Sequence, residues 1–67
     1  MLFKANGKDY DTDDISEIIW EGEEDGLEYY ESDLYYVEFH DGLVIEVTLS
    51  AEDESTNTLL MDWIETM

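Results

Sequence analysis

The sequence has no cysteine, a single histidine and only two basic residues, Lys4 and Lys8. The absence of cysteine excludes disulfides and thiolate-bound zinc or iron–sulfur clusters. No apolar run approaches the roughly 20 residues that a transmembrane helix needs, and the opening segment MLFKANGKDY lacks the features of a signal peptide. We therefore expect one small acidic domain, residues 1–67, in the cytoplasm.

Negative charge dominates the composition. The chain carries 20 Asp and Glu residues and a formal net charge of −18, and no Lys or Arg follows Lys8. Such a surface repels DNA, RNA and anionic membranes and attracts strongly basic surfaces. The expected partner is therefore a basic protein, with no direct binding to nucleic acid and none to a membrane.

The apolar content distinguishes the chain from a disordered acidic tail. Leu, Ile, Val and Phe make up 17 of the 67 residues. This share exceeds the roughly 20% below which highly charged chains are disordered. Five Tyr and two Trp add further apolar surface. A folded domain is expected, with a thin core because a chain of this length buries only about 60% of its unfolded surface.

Two hairpins are predicted from turn signals and from the alternation of apolar residues. Asn6-Gly7 is typical of a two-residue type I′ turn, in which both residues have positive φ. In LYYVEFHDGLVIEVTL, a three-residue loop over 40–42 places the apolar residues of both strands on one face, whereas a two-residue loop mixes polar and apolar residues on both. The predicted pairs are Ala5–Lys8, Lys4–Asp9 and Phe3–Tyr10, then Phe39–Leu43, Val37–Ile45 and Tyr35–Val47.

The segment between the hairpins is less regular. Residues 14–21 fit either a helix or a strand, and their short length and β-branched residues favour a strand. GEEDG, residues 22–26, is typical of an exposed loop between two glycines. The alternation of the following strand, extended backward, includes Leu27 and Tyr29.

The C-terminal segment is predicted to form an amphipathic helix with an N-cap at Ser50 or Ser55. Its apolar positions are Leu59, Leu60, Trp63, Ile64 and Met67. Together the elements predict an α+β fold: an antiparallel β-sheet of about four to five strands in hairpins, with one C-terminal α-helix packed on one face. The expected core residues are Phe3, Ile18, Trp20, Leu27, Tyr35, Val37, Phe39, Leu43, Ile45, Val47, Leu59, Trp63 and Ile64.

Sites for catalysis and metal binding lack their usual components. His40 lies in a predicted turn, and no second His or Cys exists to complete a triad or a His-based metal site. The segment DYDTDD, residues 9–14, places carboxylates at the first, third and fifth positions of an EF-hand loop. Asp14 and Trp20 occupy the positions where that loop requires Gly and Glu. We expect no enzymatic activity, no cofactor and no dedicated metal site.

The density and spacing of the carboxylates indicate mimicry of nucleic acid. WEGEEDGLEYYESD, residues 20–33, has seven carboxylates and no basic residue. Alternate residues of a strand lie roughly 6.6–6.8 Å apart on one face, and duplex DNA carries one charge per ~1.7 Å of axis, so rows of acids on a rigid frame approximate a string of phosphates. The candidate partner-binding residues are Glu21, Glu23, Glu24, Asp25, Glu28, Glu31 and Asp33, with Asp9, Asp11, Asp13 and Asp14 as a second row.

In size, charge and lack of cysteine, the chain resembles phage-encoded inhibitors that mimic nucleic acid, such as anti-CRISPR proteins, anti-restriction proteins and uracil-glycosylase inhibitors. The resemblance extends over the whole chain and includes no family-specific motif, so no residue role is carried over. It implies an inhibitor of a basic nucleic-acid-binding protein or complex, in the cytoplasm of the host cell. We expect such an inhibitor to be a monomer or a weak homodimer.

Two other interpretations stay open. Tyr30, Leu34, Tyr36 and Val44 fall on the second face of the hairpin, which would suit an acidic protein–protein adaptor or an immunity-type protein. Halophilic proteins also have surfaces rich in Asp and Glu and poor in Lys. The two alanines and the many large apolar residues fit that composition poorly.

Overall fold

The computed structural model describes residues 1–66, which form five antiparallel strands, four short 3₁₀ turns and one α-helix. The bounds are β1 Leu2–Ala5, β2 Lys8–Asp11, β3 Ile15–Trp20, β4 Leu34–Phe39, β5 Val44–Thr48 and α1 Glu54–Glu65. β1 and β2 form a two-stranded sheet, and β3, β4 and β5 form a second sheet with β4 in its centre. The predicted α+β fold is confirmed, with its strands divided between two sheets.

Both hairpins have the predicted registers. In the first, Asn6 and Gly7 have φ angles of 56° and 78°, and the strand residues pair as expected. In the second, the Phe39 N–H donates to the Leu43 carbonyl over 2.8 Å, and Gly42 has a φ of 92°. The pairs Val37–Ile45 and Tyr35–Val47 follow from this three-residue loop. Turn chemistry and hydrophobic alternation therefore fix the pairing of four of the five strands.

The third strand, β3, confirms the strand interpretation of residues 14–21. Its pairing with β4 shifts between Ile15 and Glu17, which marks a bulge at Ser16. Ile15 and Ile18 are three residues apart and are both buried. A regular strand would place them on opposite faces, so the bulge allows both side chains to enter the core.

The core lies between one face of the three-stranded sheet and a layer formed by the first hairpin and α1. The Tyr10 ring stacks on Phe39 with 5.2 Å between centroids, and the Thr56 hydroxyl donates to the Lys4 carbonyl over 2.6 Å. The buried apolar residues are Phe3, Ala5, Ile15, Ile18, Tyr35, Val37, Phe39, Val47 and Leu60. Predicted core residues that are only half-buried are Trp20, Ile45, Leu59, Trp63 and Ile64.

Several local predictions are wrong. Leu27 and Leu43 are exposed. Leu27 precedes a 3₁₀ turn, Tyr29–Glu31, rather than continuing β4. Residues 22–25 of the expected loop lie in a 3₁₀ turn, Glu21–Asp25, in which Gly22 is buried. Met67 lies outside the described residues.

The N-cap of α1 is Asp53, not Ser50 or Ser55. The Asp53 carboxylate accepts hydrogen bonds from the Thr56 N–H over 3.0 Å and from the Ser55 hydroxyl over 2.8 Å. These bonds, led by that of the Thr56 N–H, hold the pKa of Asp53 below its usual value. A carboxylate at this end also interacts favourably with the helix dipole.

Candidate functional site

The acidic segment, which we define as residues 21–33, has a backbone closed by its own hydrogen bonds. The Leu27 N–H donates to the Gly22 carbonyl over 3.1 Å, and the Gly26 N–H donates to the Glu23 carbonyl over 3.2 Å. The Trp20 indole N–H donates to the Leu27 carbonyl over 3.2 Å, which attaches the segment to the end of β3. The first half of the acidic segment is therefore a defined loop.

Gly22 allows the loop to close tightly. A Cβ atom at this position would lie 3.0 Å from Leu27 Cδ1, which is closer than side chains normally approach. Leu27 therefore packs over Gly22 although much of its own surface is exposed. This contact accounts for an apolar residue that the sequence pattern assigned to the core.

The second half of the acidic segment is attached to the 3₁₀ turn Leu49–Ala51, which follows β5, and to α1. The Asp33 carboxylate accepts hydrogen bonds from the Ser50 N–H over 2.9 Å and from the Ser50 hydroxyl over 2.8 Å. The Tyr29 hydroxyl donates to the Glu65 carboxylate, and the Tyr29 carbonyl accepts from the buried Tyr35 hydroxyl. The bond to Glu65 is the main cause of a raised pKa of Tyr29. These bonds fix the path of the chain between Glu28 and β4.

The seven predicted carboxylates of the acidic segment are all exposed, but they differ in their partners. Asp33 is bonded to Ser50, and Glu31 accepts a hydrogen bond from the Glu28 N–H over 3.0 Å. Within residues 1–66, no hydrogen bond reaches the other side chains of the segment's first turn. These unbonded carboxylates are Glu21, Glu23, Glu24 and Asp25.

Four of the seven carboxylates surround one surface depression. They are Glu21, Asp25, Glu31 and Asp33, and Gly22, Leu27 and Ser32 complete the lining. Its volume is about 270 Å³, just below the roughly 300–1,000 Å³ of typical small-molecule pockets. The spacing of alternate strand residues, predicted for Glu21 and Glu23 as one pair of the acidic rows, is wrong, because both residues lie in a 3₁₀ turn.

The second predicted row lies in another part of the molecule. Asp9 and Asp11 belong to β2, Asp13 and Asp14 belong to the 3₁₀ turn Thr12–Asp14, and none of them lines the depression. Asp11 accepts hydrogen bonds from the Asp13 N–H over 3.0 Å and from the terminal amine of Met1 over 3.1 Å. These two bonds, the first being the larger cause, lower the pKa of Asp11.

Among the described residues, almost none of the carboxylates forms an ion pair with a cation of the protein itself. Within residues 1–66, one ion pair forms, between the Met1 amine and Asp11. Neither Lys4 nor Lys8 makes an ion pair in this part of the chain. No carboxylate of the acidic segment is therefore paired with a cation of the described chain.

A second candidate surface is the face of the three-stranded sheet that points away from the core, which we call the open face. It consists of Glu17, Ile19, Leu34, Tyr36, Glu38, Val44, Glu46 and Thr48. The predicted adaptor residues Leu34, Tyr36 and Val44 share this face, but Tyr30 lies in the 3₁₀ turn Tyr29–Glu31. Glu17 and Ile19 were missed. Alternation along β3 would have placed both on this face once the strand interpretation was adopted.

Metal-binding clusters and membrane-spanning helices are absent from the described residues. In residues 1–66, no three His, Asp or Glu side chains are arranged to hold a metal ion. The single α-helix of this part of the chain is too short and too polar to cross a membrane. Comparison of the chain with protein-family models, curated proteins and solved structures gave no match.

Proposed function

We propose that the protein is an inhibitor that mimics nucleic acid and occupies the DNA- or RNA-binding surface of a basic protein. The observation that supports this proposal is the acidic segment, where a hydrogen-bonded loop presents four carboxylates that have no hydrogen-bond donor and no cation among the described residues. An inhibitor of this kind, of the anti-CRISPR or anti-restriction class, would act in the cytoplasm of a host cell and needs neither catalysis nor a cofactor.

The partner supplies the missing positive charge. Each contact is a charge-assisted hydrogen bond from Lys or Arg, and Arg can donate two parallel bonds to one carboxylate. A single exposed pair contributes only about 0–1 kcal/mol. Several pairs formed together on a preordered loop give tight binding, since little conformational entropy is lost. Binding also releases counterions from both surfaces, so affinity falls steeply with salt.

The depression gives the contact a specific centre. An Arg or Lys side chain that enters it is surrounded by Glu21, Asp25, Glu31 and Asp33. Asp33 is oriented by Ser50, and Glu31 is oriented by the Glu28 N–H. Glu23 and Glu24 extend the negative surface beside it and meet neighbouring basic residues of the partner.

The proposal is tested by displacement of nucleic acid from a captured partner. The immobilised protein is incubated with bacterial lysate at low salt, and a recovered nucleic-acid-binding protein is loaded with a fluorescently labelled duplex. We expect fluorescence anisotropy to fall as the acidic protein is added. A partner that holds the duplex equally firmly with the acidic protein bound would refute mimicry.

A charge-matched pair of variants separates a defined surface from general attraction between opposite charges. Glu23→Gln with Glu24→Gln removes two unbonded carboxylates from the acidic segment. Glu54→Gln with Asp62→Asn removes two exposed carboxylates from α1 and gives the same net charge. We expect the first pair to weaken displacement and the second to leave it nearly unchanged. If both double variants displaced nucleic acid equally poorly, total charge alone would explain the displacement.

A further inference from the structure

The open face combines apolar side chains with three carboxylates, Glu17, Glu38 and Glu46. Two cross-strand rows run across β3, β4 and β5: Ile19–Tyr36–Glu46 and Glu17–Glu38–Val44. Ile19 is 38% exposed and Val44 is 54% exposed. The first hairpin and α1 pack on the opposite face of this sheet. Exposed apolar side chains on an uncovered face indicate a surface available for a partner.

The charges on the open face do not stabilise the fold. Glu17 lies directly opposite Glu38 in the β3–β4 register, and like charges in this position are destabilising. Within the described residues, no hydrogen bond reaches the side chain of Glu17, Glu38 or Glu46, and no cation pairs with them. A cationic group seated between Glu17 and Glu38 would relieve their repulsion.

Charge determines which kind of occupant can cover this face. A symmetric dimer of two copies would bring like carboxylates together at a shared interface, because both copies contribute the same patch. Nucleic acid is repelled by the same carboxylates. A protein segment that combines basic and apolar side chains can pair with the carboxylates of the open face and also cover its apolar side chains.

We propose that the open face binds an extended protein segment that carries both basic residues, Lys or Arg, and aliphatic or aromatic residues on the one face that it turns to the sheet. Successive side chains on one face of such a segment are separated by roughly 6.6–6.8 Å, which matches the spacing along β4. The apolar residues pack on Ile19, Tyr36 and Val44, and the basic residues reach Glu17, Glu38 and Glu46. This surface does not include the acidic segment, and the inference does not rest on nucleic-acid mimicry.

The test uses two synthetic peptides of equal length and charge. The first, the Lys–Leu peptide, repeats the sequence Lys-Ser-Leu-Ser, so that Lys and Leu share one face of the extended chain, and in the second each Leu is replaced by Ser. We expect the Lys–Leu peptide to bind more tightly at physiological salt and to shift the amide NMR signals of Ile19, Tyr36 and Val44. Equal affinity for the two peptides would reduce the interaction to charge alone and would overturn the proposal.

Two tyrosine variants provide a matched control. Tyr36→Ser removes the central aromatic ring of the open face, and Tyr30→Ser removes a ring that is 71% exposed but lies in the 3₁₀ turn Tyr29–Glu31. We expect Tyr36→Ser to lower the affinity for the Lys–Leu peptide by about tenfold, as for a central interface residue. We expect Tyr30→Ser to leave this affinity unchanged. Equal effects of the two variants would contradict a site on the sheet.

Folding and self-association are checked in the same samples. If Tyr36→Ser is unfolded by circular dichroism, Val44→Ser at the exposed edge strand replaces it with the same expected loss. Sedimentation of the wild-type protein should show a monomer with and without the peptide. Self-association that Tyr36→Ser abolishes would identify a second copy as the occupant and refute the proposal. The displacement of nucleic acid tested above does not depend on either result.

Discussion

The two faces of the three-stranded sheet have opposite compositions although they are built from the same strands. In β4, Tyr35, Val37 and Phe39 are buried on the covered face, whereas Tyr36 and Glu38 lie on the open face. The covered face is almost free of carboxylates, and the open face carries three. Because the side-chain period of a strand is two, six consecutive residues encode both a core and a surface that is left for contacts. The covered face forms the core, and the side chains of the open face are not covered by another element of the described chain.

The adjacent tyrosines of β4 show the same difference within one residue type. The Tyr35 side chain is fully buried, and its hydroxyl donates to the Tyr29 carbonyl. Tyr36 is half-exposed, and its hydroxyl has no hydrogen-bond partner among the described residues. Substitutions on the two faces should therefore have different consequences for stability.

The largest difference is expected between Phe39→Ala and Tyr36→Ala. Phe39→Ala removes a buried ring that stacks on Tyr10, and it should lower the free energy of unfolding by about 3–5 kcal/mol. Tyr36→Ala removes a ring from the open face and should cost about 1 kcal/mol, the range of strand preferences. Urea unfolding followed by circular dichroism measures both. Similar losses for the two variants would show that the open face also contributes to the core.

The second prediction concerns alkaline pH. Burial raises the pKa of Tyr35 to about 12, above the ~10 of an exposed tyrosine. Because the folded-state pKa is the higher one, this phenol contributes stability that is complete below about pH 10 and is lost as the pH rises through about 12. Tyr35→Phe should lower stability by about 1–3 kcal/mol at neutral pH, since the Tyr29 carbonyl loses its donor.

The loss of stability at high pH should be smaller in Tyr35→Phe than in the wild type. In Tyr36→Phe it should equal that of the wild type. Free energies of unfolding from urea titrations at neutral and alkaline pH give the comparison. Tyr29 is retained in every variant, so its own raised pKa affects all three proteins equally. If the free energy of unfolding of Tyr35→Phe fell at alkaline pH as much as that of the wild type, the buried phenol would not be the cause of the fall.

Salt should stabilise the protein, because repulsion among its 18 net negative charges opposes the compact state. Raising the ionic strength from about 0.01 M to about 1 M shortens the screening length from ~30 Å to ~3 Å. The melting temperature, followed by circular dichroism, should rise over this range with NaCl. A constant melting temperature would mean that the carboxylates on the open face and in the acidic segment do not repel one another appreciably.

The smallest expected effect is a gain from Glu17→Lys. The substitution converts a like-charge pair with Glu38 into an opposite-charge pair, which should raise the free energy of unfolding by about 0.2–1 kcal/mol at low salt. Glu54→Lys is the control, since it makes the same charge change at the first turn of α1. There the cation opposes the helix dipole and should not stabilise the protein. A loss of stability in Glu17→Lys would imply that Glu17 already has a favourable role in the free protein.

Local signals predicted most of the fold. Asn6-Gly7 and Gly42 fix two turns through positive φ, and the alternation in LYYVEF fixes the register around them. The helix was predicted from spacing, but its N-cap was not. Ser50 is bonded to Asp33 instead, and this contact between residues 17 positions apart leaves no trace in a local motif.

The candidate site was predicted less well than the fold. Its negative charge is obvious in the sequence, but the depression is not, because long-range bonds determine the path of the acidic segment. The Trp20 indole, the Tyr29 hydroxyl and the Asp33 carboxylate each attach it to another part of the chain. Leu27 was misassigned because its alternation with β4 suggested a strand, whereas its contact is with Gly22 across a turn.

The Asn6 side chain has a consequence for the behaviour of the protein at high concentration. Its amide donates to the Glu46 carbonyl over 2.7 Å, and its backbone N–H donates to the Glu52 carboxylate. Because Phe39 bonds directly to Leu43, the even-numbered carbonyls of β5 point away from β4, toward the outer edge of the sheet. An unoccupied edge of this kind is a template on which strands of other molecules add and grow into fibrils. The turn residue of the first hairpin therefore blocks one of the positions on this edge at which an added strand would pair.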